Sequence, residues 1–229
     1  MITIGGIRNW HYDVSLSTQL IENFVQGVEK QVAESIAIYR MKHADEGDPG
    51  LDDHTWHEAY QGLDGDTWHL PTVFEEYFPS LHRRSALLTL WGFAEYELHK
   101  LCLLYQSENH FQQSVFDMKG KGIDRSLNYL KKIADLKGLK ASQNWVQFKA
   151  LQEIRNAVTH NDGRLNGRDG KPKHTLLAAI KTVGLVNGHD ELIFEQGFLA
   201  NALNICSNYF TVIGTAIKKR DSERRTLTV

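Results

Sequence analysis

Apolar residues along this chain recur mostly in steps of three and four, the period of helices that bury one face. Over residues 17–44, Ile21, Phe24, Val25, Val28, Val32, Ile36 and Tyr39 mark one side of a long helix that Ser17 or Thr18 can cap. Residues 1–16 read as a short strand and a loop. Residues 45–66 hold eight acidic side chains, no Lys or Arg, and five Gly or Pro, a solvated loop with one helical turn around Trp56. A short segment over 72–78 leads to Pro79, which suits the first turn of a helix. That helix, over 80–107, carries two apolar rows, one through Leu87, Leu90, Ala94 and Leu101, the other through Leu88, Trp91, Leu98 and Tyr105. Apolar over so much of its girth, it belongs at the centre of a bundle.

Two further helices follow. Ile123, Leu127, Leu130, Ile133 and Ala134 outline one, entered through Lys119-Gly120-Lys121-Gly122. This entry is not a phosphate-binding P-loop, because Val115 stands where the upstream glycine would be. Trp145, Phe148, Leu151, Ile154 and Val158 outline the other, with Ser142 as its cap and Gly163 where positive φ is needed at its end. After a loop, residues 174–183 suit a short helix. Residues 185–194 suit a two-stranded hairpin turning at Asn187-Gly188. The last helix is expected over 196–219, with Phe198, Ala202, Ile205, Cys206, Tyr209, Ile213 and Ile217 inward. The expected architecture is all-α: an up-and-down bundle of about five main helices with a small β-hairpin before the last. Residues 1–70 would pack a helix and acidic loop on a bundle formed by 71–220, and 221–229 would fray.

Composition narrows the class without naming a job. The chain has 229 residues, four prolines and a net charge of −2, so it can bury a sizeable core and has no global basic field for nucleic acid. Cys102 and Cys206 fall on apolar helical positions, as buried free thiols would in a reducing compartment. No basic segment followed by an apolar run opens the chain, and charges interrupt every apolar stretch, so a cytoplasmic protein without a membrane span is expected. His54, His57 and His69, with Asp52 and Asp53, match no metal-ligand spacing, because Gln61 stands where a second His of His-Glu-x-x-His would be. Surface acidity accounts for them.

Chemistry concentrates at the end of the helix around residue 155. Asn156 and His160, four apart, share a face, and Arg155 lies beside the apolar stripe. If that helix frays at Asn161-Asp162-Gly163, the imidazole can turn toward the guanidinium. A fixed cation, an amide and a group titrating near neutrality would then surround a phosphate-sized space. Spacing alone favours a plain helix end with a cationic residue set by the dipole and a solvated His. Glu95 falls within the second apolar row of the central helix and needs a partner. Arg155 is the natural one, either to lock helix register or to orient Arg155.

Arg155-Asn156-Ala157-Val158-Thr159-His160 resembles the Arg-x4–6-His motif of the HEPN superfamily of small helical bundles. The motif's place at a helix end, and the glycine-punctuated entry over 119–123, are similar to family layouts over about residues 80–220. The resemblance implies a metal-independent endoribonuclease without a cofactor, of toxin–antitoxin or phage-defence type, acting as a homodimer. It makes Arg155, Asn156 and His160 catalytic and Glu95 supporting, with an antitoxin or regulatory protein as a further partner. In HEPN toxins paired with nucleotidyltransferase antitoxins a Tyr stands two residues after the His, where this chain has Asp162. Control by tyrosine modification is therefore not implied. Residues 119–140 carry seven Lys or Arg against two Asp, and Lys119, Lys121, Arg125, Arg164 and Arg168 form the candidate RNA track. The alternative is a non-catalytic helical module that binds RNA, a nucleotide or a protein. A hydrolase with an activated nucleophile has no supporting motif.

Overall fold

The computed structural model describes residues 5–44, 59–167, 170–171, 173–187 and 190–226. Its main elements are six helices: α1 (Trp10–Ala44), α2 (Phe78–Glu108), α3 (Gly122–Lys132), α4 (Gln143–Asn161), α5 (His174–Val183) and α6 (Phe198–Thr226). Two strand pairs accompany them, β1 (Ala59–Tyr60) with β2 (Leu63–Asp64), and β3 (Val186–Asn187) with β4 (Ile193–Phe194) immediately before α6. The expected all-α bundle with a hairpin before its last helix is what the chain forms.

One buried cluster unites Trp10, Val14 and Val25 of α1 with the inner faces of α2, α3, α4 and α6. Trp91 stacks on Phe148 at 5.0 Å between ring centres, and Phe148 on Tyr209 at 4.4 Å, so α2, α4 and α6 meet through aromatic rings. A smaller cluster of Tyr39, Tyr60, Leu70 and Phe74 seats the β1–β2 pair against the end of α1. Cys102 and Cys206 are free and buried, and burial pushes the Cys102 thiol up to about 12.

Several boundaries differ from the sequence expectation for identifiable reasons. A 3-10 turn over Ile7–Asn9 leads into α1 at Trp10, so residues 10–16 are helical rather than loop. Trp10, Val14 and Ser17 are buried in three- and four-residue steps, and the intervening polar His11 and Tyr12 hide that period. Residues 59–64, expected as loop, make the β1–β2 pair because Gln61 (φ 50°) and Gly62 (φ 83°) turn the chain tightly. A π-helical turn over Thr72–Tyr77 runs directly into α2, with Pro79 in its first turn. α6 continues to Thr226, and Arg220 within it is buried over the Tyr105 ring. The helical turn expected around Trp56, together with His54 and His57, lies outside the described residues.

Candidate functional site at the end of α4

Ser142 opens α4 with its Oγ accepting from the Trp145 amide at 3.3 Å. The helix stays regular through Asn161, and Asp162 then takes the left-handed conformation at φ 49°. A short polar side chain tolerates that geometry. Arg84, buried near the start of α2, stabilises this end: it donates to the Asp162 carbonyl at 3.3 Å and to Glu191 at 2.9 Å. Arg84 also donates to the Leu192 carbonyl, so one guanidinium joins the α4 terminus to the segment before β4. Nothing in the sequence marked Arg84 beyond two adjacent arginines at the head of an apolar helix.

Two turns before its end, α4 presents Arg155 toward α2. Its Nη2 lies 3.8 Å from Glu95 Oε1, and the two side chains are 24% and 31% exposed. Glu95 is held in turn by the Trp91 indole, which donates to Oε1 at 2.8 Å. On the other side, Arg155 Nη1 donates to Asn156 Oδ1 at 3.1 Å. Arg155 Nε is buried with no hydrogen-bond partner among the described residues. The expected partnership of Glu95 and Arg155 is therefore present, half-exposed rather than sealed.

The same carboxylate reaches the start of α3. A side chain at Gly122, which has φ 48°, would place its Cβ 2.7 Å from Glu95 Oε1. A glycine is required there both for the backbone and for the close approach. Glu95 also places a negative charge at a helix N-terminus, the favourable end. Lys121 is thereby one residue from the Glu95–Arg155 pair. Asp124 continues the link between α3 and α4, 3.4 Å from Lys149 Nζ.

His160 occupies the last turn of α4 and is exposed. Because α4 does not fray before Asp162, His160 stands five helical positions after Arg155. That is about 7.5 Å along the axis and about 140° around it. Arg155 faces α2 and His160 does not, so one chain does not gather the two around a single phosphate. A recess of about 750 Å³ opens at the α4 terminus, lined by Tyr77, Asn161, Asp162, Arg164, Asp190 and Glu191. Neither Arg155 nor His160 lines it.

The basic residues divide between two places. Lys119 and Lys121 are exposed on the entry to α3, where Gly122, next to Lys121, approaches Glu95. Arg125 folds back so that its Nε donates to the Gly120 carbonyl at 3.0 Å, stiffening that loop. Arg164 instead borders the acidic recess, and Arg168 lies outside the described residues. Among the described residues no cluster of His, Cys, Asp or Glu is arranged to hold a metal ion, and no helix is long and apolar enough to cross a membrane. No family model, curated protein or solved structure matches the chain.

Proposed function

We propose that this chain is a metal-independent endoribonuclease of HEPN type, acting as a pair of copies in a toxin or phage-defence setting. The observation that carries the reading is the set of contacts at Arg155. A carboxylate and an amide hold the guanidinium on a partly exposed surface, its buried Nε has no partner among the described residues, and the lysine-bearing entry to α3 comes close to the carboxylate. In this reading Arg155 neutralises the phosphoryl oxygens, Asn156 orients Arg155, and Glu95 keeps both in place. His160, exposed near the end of α4, takes the proton from the attacking 2′-hydroxyl or returns one to the departing 5′-oxygen. Because Arg155 and His160 face apart within one chain, the Arg155 of one copy works with the His160 of the other. Lys119, Lys121 and Arg125 track the RNA backbone beside Arg155.

Labelled single-stranded RNA incubated with the protein in EDTA tests this. Fragments ending in 2′,3′-cyclic phosphate are expected from RNA and none from DNA, which lacks the nucleophile. RNA that is retained uncut would instead favour a non-catalytic binding module, the reading that the divergence of Arg155 and His160 supports. RNA neither bound nor cut leaves a protein partner as the function.

A further inference from the structure

The outward face of α2 has a pattern that the bundle itself does not use. Gly92 lies at mid-helix and is exposed, and a Cβ built there would meet nothing within 4 Å. Glycine weakens a helix interior relative to alanine, and no neighbour among the described residues comes close enough to require the missing side chain. Around it the residues of this face, four of them apolar and two polar, are placed in symmetric pairs. Leu88 and Tyr96 stand four residues before and after, Ser85 and His99 seven, and Leu81 and Leu103 eleven. All six fall within about 40° of Gly92 around the helix, on a strip about 33 Å long. Leu88, Tyr96 and Leu103 are 38–48% exposed, and Phe116, 66% exposed with its ring 5.4 Å from His99, widens the strip at one end.

We propose that this strip is a two-fold interface between two copies of the chain, with their α2 helices antiparallel and crossing at Gly92. The pattern selects a second copy as the occupant. A two-fold through Gly92 brings Leu88 of one copy beside Tyr96 of the other, Leu81 beside Leu103, and Ser85 beside His99, so each half supplies what the other lacks. The absent side chain at the crossing lets the helices approach closely. Glu95 borders the strip, so the two Glu95–Arg155 pairs flank the same contact, about 9 Å apart along the helix direction. The inference shares with the ribonuclease reading only its pairing of two copies, and it stands on the α2 surface alone.

Sedimentation of the full chain without RNA tests it. The wild type is expected to be dimeric, and Gly92→Leu monomeric with an unchanged helical spectrum, since a Cβ at this exposed position meets nothing within 4 Å among the described residues. Under mild oxidation Gly92→Cys should cross-link to itself, because Cys102 and Cys206 are buried. Leu88→Cys should cross-link to Tyr96→Cys when the two variants are mixed, but not to itself. A monomeric wild type, a dimer that survives Gly92→Leu, or Leu88→Cys linking to itself would each overturn the interface. A dimer that leaves RNA intact would remove the ribonuclease and keep the interface; RNA cleavage by a dimer that survives Gly92→Leu would keep the ribonuclease and remove the interface.

Discussion

Glu95 and Arg155 face each other at 3.8 Å across the contact between α2 and α4, and the same carboxylate accepts the Trp91 indole proton. The pair is about a quarter to a third exposed, so solvent screens it and its direct worth to stability is about 1 kcal/mol or less. Its larger effect is on where the guanidinium points. Glu95→Gln should therefore leave the melting temperature within a few degrees of wild type while lowering RNA cleavage clearly. A collapse of the fold would show that the pair is structural first. Unchanged cleavage would show that Glu95 does not position Arg155.

His160→Ala should cut the cleavage rate by about 10²–10⁴-fold, the usual range for a positioned acid–base group. Being exposed, His160 should cost little stability when removed. Arg155→Ala should lose activity to a similar degree. An equimolar mixture of the two inactive variants should regain part of the rate, because some mixed pairs hold one intact Arg155 opposite one intact His160. No recovery after verified subunit exchange would show that both groups act from the same chain.

Gly122→Ala should destabilise by about 1–3 kcal/mol, since its φ of 48° disfavours a side chain and the new Cβ would crowd Glu95 at 2.7 Å. Adding Glu95→Ala should restore the part due to crowding and leave the part due to the backbone. A denaturant-based double-mutant cycle separates the two. Strict additivity would mean that Glu95 and α3 do not press on each other.

Glu97 offers a pH test away from the site. It is fully buried on α2, 3.6 Å from Lys100, and desolvation holds its pKa above the usual carboxylate value, with nearby Asp13 adding to the shift. A raised folded pKa means that the unfolded chain releases this proton first as pH rises. The stability associated with Glu97 is thus complete below its unfolded pKa and is lost as pH climbs through its folded one. Relative to wild type, Glu97→Gln should melt higher at pH 7–8 than at pH 4. Parallel melting curves for the two proteins across that range would contradict this.

Much of the bundle was legible because its signals are local. Apolar residues three and four apart in α2, α4 and α6 bury a face wherever the neighbours lie, and Ser142 and Pro79 mark helix starts through their own backbone chemistry. The pairing of Glu95 with Arg155 was also legible, since a carboxylate in an apolar row needs a cation and Arg155 lies beside the apolar stripe of α4. The start of α1 was not, because His11 and Tyr12 interrupt the row from Trp10 to Ser17. Arg84 was missed for a related reason. Its partners are the Leu192 and Asp162 carbonyls and Glu191, far away in the sequence and, for two of them, backbone groups that every residue has.

By itself, then, the order of residues determined where the main helices lie, which of their faces carry apolar rows, and that Arg155, Asn156 and His160 share one stretch of helix. Only the folded chain decided that Arg155 turns to Glu95 and the start of α3, that His160 faces elsewhere, and that a symmetric strip on α2 is left uncovered by the other described residues. The reason is physical: a repeat of three and four residues records how one helix meets an apolar environment. The direction of a side chain at a helix end, and which surface is left open, depend on elements that approach from distant parts of the chain.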